Sequence, residues 1–141
     1  MNTEASIITA LKQKGHRLTQ ARRAVIGFIL TQVKPFSALD VHNALSKKGV
    51  KTDKVTVYRE LALLASEGFL HDVQFDDGVK RYELAALDHH HHLVCIKCKK
   101  IDDIHMEHDL DTIEKTIRKQ KKFDVLRHSL EFYGLCARCT R

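Results

Sequence analysis

The residues with the most chemistry lie in "DHHHHLVCIKC", Asp88 to Cys98, where four consecutive histidines run into a Cys-x-x-Cys pair. A second pair, Cys136-x-x-Cys139, follows about 40 residues later. Two thiolates per knuckle, and two knuckles, make the donor set of a tetrahedral four-cysteine zinc site. Such a site keeps no position open for water, so the zinc would be structural. It would pin the end of the chain to the middle of a small unit with little core of its own. A redox pair or plain buried thiols are the competing readings. A redox motif belongs at the start of a helix after a strand and needs one pair only, whereas Cys95 falls inside a strand-like run.

The histidines acquire a geometry from the same run. In an extended chain successive side chains point to opposite faces, so His90 and His92 share one side and His89 and His91 the other. One strand can then supply two ligands to each of two sites. The plainer alternative is a polar turn with solvated imidazoles. Glu83, Asp88, Asp102, Asp103, His105, His108, Asp111 and His128 are further candidate ligands, among which spacing does not choose. Imidazole and carboxylate donors accept Fe(II), Zn(II), Mn(II) or Ni(II) alike.

The elements that must position these groups follow from caps and periodicity. Residues 4–14 predict a short helix ending at Gly15. Thr19 caps "QARRAVIGFILT", whose apolar face is Ala21, Val25, Phe28 and Ile29. Ser37 and Asp40 read as a capping box ahead of "ALDVHNALSKK", which stops at Gly49. Asp53 caps "KVTVYRELALLASE", with Val57, Leu61 and Leu64 as the buried stripe and Gly68 at its end. "FLHDVQF" and "VKRYEL", joined through Asp76-Asp77-Gly78, predict a β-hairpin. Three capped helices and then a hairpin is the order of a winged helix-turn-helix, whose last helix enters the major groove. Past Leu84, "HHLVCIKC" and "KIDDIHM" read as strands, "DLDTIEKTIRKQKK" as a helix and "FDVLRHSLEFYGLC" as a strand. The fold class is therefore α+β, with one domain over 1–84 and a smaller α/β domain over 85–141.

Charge agrees with that division. Residues 1–59 carry eleven Lys/Arg against three Asp/Glu, an excess larger than the whole chain's net +6, which the rest of the sequence partly offsets. A basic amino-terminal segment is a footprint for phosphate backbone, or equally a solvated surface. On the helix after Asp53, Lys54, Thr56, Tyr58 and Arg59 are the candidate readers of double-stranded DNA. Tyr58 would meet a thymine methyl, and Arg59 or Lys54 a base edge or phosphate. The competing readings are a half-buried Tyr58 and an Arg59 paired with Glu60. No apolar run approaches the ~20 residues of a membrane span, and the first residues lack a signal peptide's apolar stretch. We therefore expect a cytoplasmic protein without a membrane partner. A zinc hydrolase would need an open metal position and a base such as Asp103, and no HExxH, nucleophile elbow or phosphate-binding glycine loop is present. A winged-helix DNA binder with zinc used only for folding is the nearer competitor.

Three passages together, "RLTQAR", "VTVYREL" and "HHHHLVCIKC" with "HSLEFYGLCARC", resemble the ferric uptake regulator family of metal-responsive bacterial repressors along nearly the whole chain. The resemblance implies a homodimer built on the carboxy-terminal domain, and metal-dependent binding of a palindromic operator. It implies structural Zn2+ on Cys95, Cys98, Cys136 and Cys139. It implies a regulatory Fe2+ or Zn2+ site drawing on Glu83, His90, His92 and Asp103, and a second site on His89, His91, Asp111 and His128. Arg17, Thr19 and Arg22 are similar to the family's DNA contacts around the second helix. Pro35 stands where iron-sensing members often have a hinge histidine. His71 instead resembles the wing ligand of zinc-uptake regulators, without the cysteine those often carry at the wing's end. His91 replaces a common aspartate. The resemblance leaves the sensed metal open, Mn2+ and Ni2+ included, and leaves peroxide sensing as an alternative.

Overall fold

The computed structural model describes residues 2–108 and 110–141. It divides into two compact units, residues 1–87 and 88–141.

The first unit follows its caps. Helix α1 (Glu4–Gln13) starts on a Thr3–Ser6 capping box. Helix α2 (Gln20–Ile29) starts on Thr19, whose hydroxyl accepts from the Arg22 backbone N–H at 3.1 Å. Strand β1 (Phe36–Ser37) leads into α3 (Ala38–Lys47), where Ser37 and Asp40 exchange both bonds of the box. Helix α4 (Lys54–Ser66) starts on Asp53, whose carboxylate accepts from the Thr56 N–H at 2.7 Å. That bond holds the Asp53 carboxyl below the usual carboxylate range. Each cap satisfies an N–H that the first helical turn would otherwise leave unpaired. Gly68, at φ +83°, takes the left-handed conformation that turns the chain out of α4.

Strands β2 (Leu70–Gln74) and β3 (Lys80–Leu84) form the predicted hairpin, antiparallel, with His71 opposite Glu83. The two-residue β1 adds a third strand against β3, giving the order β1-β3-β2. It is too short to show alternation, and so was not expected. All four helices contribute to one core, Ile7 and Leu11 from α1, Val25, Ile26 and Ile29 from α2, Val41 and Leu45 from α3, and Val57, Leu61 and Leu64 from α4. The face of α2 is rotated from the expected one. Ile26 is fully buried, Ala21 is only half-buried, and Phe28 meets Phe36 edge-to-face at 5.7 Å.

One contact in this unit was not foreseen. Arg22 pairs with Glu60 of α4 through two bonds, at 2.7 and 3.1 Å, with side chains only 13% and 11% exposed. Removing one partner of a buried pair leaves the other charge uncompensated, which costs about 3 kcal/mol. Arg22→Ala is therefore expected to lower the stability of the first unit by about that amount in chemical denaturation. A loss within the error of the measurement would show that the pair contributes nothing.

In the second unit β4 (His91–Cys95) is central, antiparallel to β5 (Ile101–Ile104) and parallel to β6 (Glu131–Gly134), in the order β5-β4-β6. Helix α5 (Asp111–Lys121) lies between β5 and β6 in sequence. Asp109, where the predicted helix begins, lies outside the described residues. The long strand expected over "FDVLRHSLEFYGLC" shrinks to four residues. The ladder with β4 starts at Glu131, opposite His92, and the chain from 123 to 130 forms no regular element. No described helix is long and apolar enough to cross a membrane.

Candidate metal centres

The four cysteines converge at the end of β4. Each Cys-x-x-Cys folds into the same knuckle, in which the first cysteine's carbonyl accepts a backbone N–H four residues on. For Cys95 the donor is Lys99 at 2.9 Å, and for Cys136 it is Thr140 at 3.0 Å. The four sulfurs lie within 4.8 Å of one another, and Cys98 Sγ is 3.7 Å from Cys136 Sγ. A tetrahedron with zinc–sulfur bonds of about 2.3 Å has edges of about 3.8 Å, so the donor set fits that ion. All four are free thiols.

Electrostatics in the knuckles point the same way. Backbone N–H groups of Cys98 and Cys136 bring the Cys95 thiol down to about 5, and the Cys136 N–H lies 3.4 Å from Cys95 Sγ. Cys136 is lowered by the N–H of Cys139. Cys139, whose thiol donates to the Cys136 sulfur, is pushed up to about 12. Crowded sulfurs oppose one another's ionisation, and a divalent cation at their centre is what lets all four ligate as thiolates.

The histidines divide between two sides as alternation in an extended segment requires, although only His91 and His92 lie within β4 itself. On one side of β4, His90 Nε2 and His92 Nε2 are 3.2 Å apart, with the rings 4.8 Å apart. His90 Nδ1 donates to the carbonyl of Asp88 at 2.7 Å. A carbonyl can only accept, so Nδ1 carries the proton and Nε2 keeps the lone pair a metal needs. His92 is 4% exposed and sits opposite Asp103 of β5. Two residues beyond Asp103, the His105 ring lies 5.9 Å from that of His90.

On the other side, the rings of His89, His91 and His128 lie 4.9 to 5.3 Å apart, and one nitrogen from each falls within 4.8 Å of the others. Asp111 opens α5 and is not among these clustered donor atoms. Glu114, three residues further on in the same first turn, hydrogen-bonds His128 instead. Glu114 was missed because a helix of this composition offers several acidic residues, and only the helix's rotation decides between them. In the first unit, His71 and Glu83 face the same way as cross-strand partners, the former exposed and the latter half-buried.

Of the candidate DNA-reading residues, Lys54, Tyr58 and Arg59 all lie on the exposed side of α4, with Tyr58 55% exposed. That exposure removes the half-buried reading of Tyr58. Glu60 turns inward to Arg22, not to Arg59. Thr56 is half-buried at the start of α4, and Thr19 is occupied as a cap. Arg17 is exposed, and its carbonyl accepts from the Arg22 guanidinium. Arg22 itself, expected at the DNA, is engaged by Glu60 and by that carbonyl.

A family model described as "Ferric uptake regulator family" matches residues 13–133. The ferric uptake regulation protein of Bacillus subtilis is 36% identical over 133 residues, covering 92% of this chain and 89% of that protein. The peroxide-responsive repressor PerR of Staphylococcus epidermidis is 30% identical, covering 94% of this chain and 87% of that protein. Among solved structures, the ferric uptake regulator from Francisella tularensis with iron superposes with a TM-score of 0.80 at 28% identity, covering 90% of this chain and 96% of that one.

Proposed function

The chain belongs to the ferric uptake regulator family and is a metal-responsive transcriptional repressor, and from that premise we propose that it acts as a cytoplasmic homodimer whose operator affinity is set by one exchangeable divalent ion. The regulatory ligands are His90, His92 and Asp103 of the second unit with His71 and Glu83 of the wing. Zinc on the four cysteines is structural, and His89, His91 and His128 hold a second ion. The observation that carries the reading is the division of four adjacent imidazoles between two sides of the segment that enters β4, with the Nε2 atoms of His90 and His92 3.2 Å apart. The cross-strand pairing of His71 with Glu83 supports their acting together.

Operator is read by the exposed side of α4 through Lys54, Tyr58 and Arg59, with Thr56 and Thr19 near the backbone and Arg17 reaching phosphate. Arg22 then serves by fixing α2 against α4. The dimer is supported by apolar groups the second unit leaves exposed on its own, including Phe123, Leu126, Phe132 and Leu135, with Leu126 95% exposed. No group in this reading performs turnover, so the protein is a regulator and not an enzyme.

Metal analysis beside operator titrations with Fe(II), Zn(II), Mn(II) and Ni(II) tests the reading. The expected result is one ion per chain that resists chelation, and another that exchanges and is required for tight operator binding. Operator affinity indifferent to every weak chelator and every added ion would reduce the protein to a DNA binder with fixed zinc.

The peroxide-responsive relative supports a second reading, in which the regulatory site holds iron and peroxide inactivates the repressor. Gain of one oxygen atom on a peptide containing His90 or His92, after peroxide treatment of iron-loaded protein, would favour it over simple metal sensing.

A further inference from the structure

His128 sits in the irregular segment between α5 and β6, with no strand ladder to hold its ring. Its position is nevertheless specific. Nδ1 lies 2.6 Å from Glu114 Oε1, and both side chains are mostly withdrawn from solvent, 19% and 31% exposed. An ionised carboxylate only accepts, so the proton of the neutral ring is on Nδ1. Nε2, a buried atom, then carries the lone pair on the side where the rings of His89 and His91 stand, with centroids 5.0 and 5.3 Å away. Glu114 is in the first turn of α5, whose N–H to the Leu110 carbonyl anchors it at 2.9 Å. A helix thus reaches an imidazole that no strand ladder holds.

We propose that Glu114 is a positioning residue for the second metal site: by holding the His128 Nδ1–H it fixes the tautomer and ring orientation that present Nε2 as a ligand. This rests on the reading that His89, His91 and His128 bind a divalent ion. Glu114 is assigned no bond to that ion. An anionic acceptor behind a ligating imidazole also strengthens it as a donor, and loss of such partners typically weakens metal binding 10–100-fold.

The test separates orientation from ligation. In wild-type protein with the exchangeable metal removed and the cysteine zinc retained, 15N NMR should show His128 as the Nδ1–H tautomer. Glu114→Leu, which removes the acceptor at similar bulk, should shift it toward the Nε2–H form usual for a free imidazole. Titration with Zn(II) or Co(II) alone should then show binding at this site weakened about 10–100-fold in Glu114→Leu. Glu114→Gln keeps a neutral acceptor oxygen and should lose less. Retained cysteine-bound zinc in both variants reports an intact second unit. An unchanged His128 tautomer in Glu114→Leu overturns the proposal. So does a Glu114→Gln variant as defective as His128→Ala, since Glu114 would then be a ligand. If wild type shows the Nδ1–H tautomer and Glu114→Leu abolishes it, yet no ion binds here, the orienting role stands and the metal-site reading fails instead.

Discussion

Replacing Cys98 and Cys136 together by serine will unfold residues 88–141 while residues 1–87 keep a cooperative transition of their own. In the first unit four helices and three strands share one core of buried apolar side chains. Among the described residues of the second unit, only His91, His92 and Cys95 are buried. Two of those three are imidazoles, whose burial stabilises little unless their nitrogens are satisfied. The apolar groups the unit does possess stay largely in contact with water in a single chain. What closes the unit is the pair of knuckles, which ties the end of β4 to the chain end across about 40 residues. Apparent zinc-binding free energies of structural sites are about 10–16 kcal/mol, far more than this unit's packing supplies. Serine is the informative replacement because its hydroxyl nearly matches the thiol in size but does not ligate as an anion at neutral pH. The expected signature is loss of tightly held zinc together with collapse of amide dispersion in 88–141, the signals of 1–87 staying in place. A double-serine protein without zinc whose second unit remained dispersed would refute the stapling role.

What could be read from the sequence, and what could not, divides by range. Thr19, Ser37 and Asp53 act on N–H groups three residues away, so their caps are visible as short strings and appear in the structure where expected. Strand alternation is equally local, which is why the division of His90 and His92 from His89 and His91 was legible before any coordinates. The Arg22–Glu60 pair spans 38 residues, and nothing near either residue announces the other. Arg22 was expected at the DNA only because it resembles the family's contacts around the second helix, a likeness that carries no sign of Glu60. The choice of Glu114 over Asp111 at His128 depends on the rotation of α5, a tertiary quantity that periodicity does not fix to within one turn. The short β6 has the same origin: the apolar residues of 123–130 look like strand in the sequence, but a strand exists only where a neighbour supplies its hydrogen bonds.

Replacing His90 and His92 together by alanine will lower metal-dependent operator affinity by about 100-fold, to the level of the metal-free wild type, without unfolding either unit. A ligand shifts a conformational equilibrium only by the difference in its affinity for the two states. A difference of about 3 kcal/mol corresponds to ~100-fold, which suffices for a switch. In the proposed reading His90 and His92 create that difference: their Nε2 atoms are 3.2 Å apart, and the Asp88 carbonyl fixes the tautomer of His90. Removing one leaves the other with Asp103 as a weakened partial site, so the double variant gives the clean measurement. The fold should survive because the knuckles and the β4 ladder do not depend on these imidazoles: the backbone pairing of His92 with Asp103 and Glu131 is made by main-chain atoms. Alanine at both His89 and His91 provides the matched control, equal in charge and size but on the opposite side of the same histidine run. If the His90/His92 variant, saturated with the active metal, still bound operator as wild type does, those two imidazoles would not be the switch, and regulation would have to act through the opposite side of β4 or not at all.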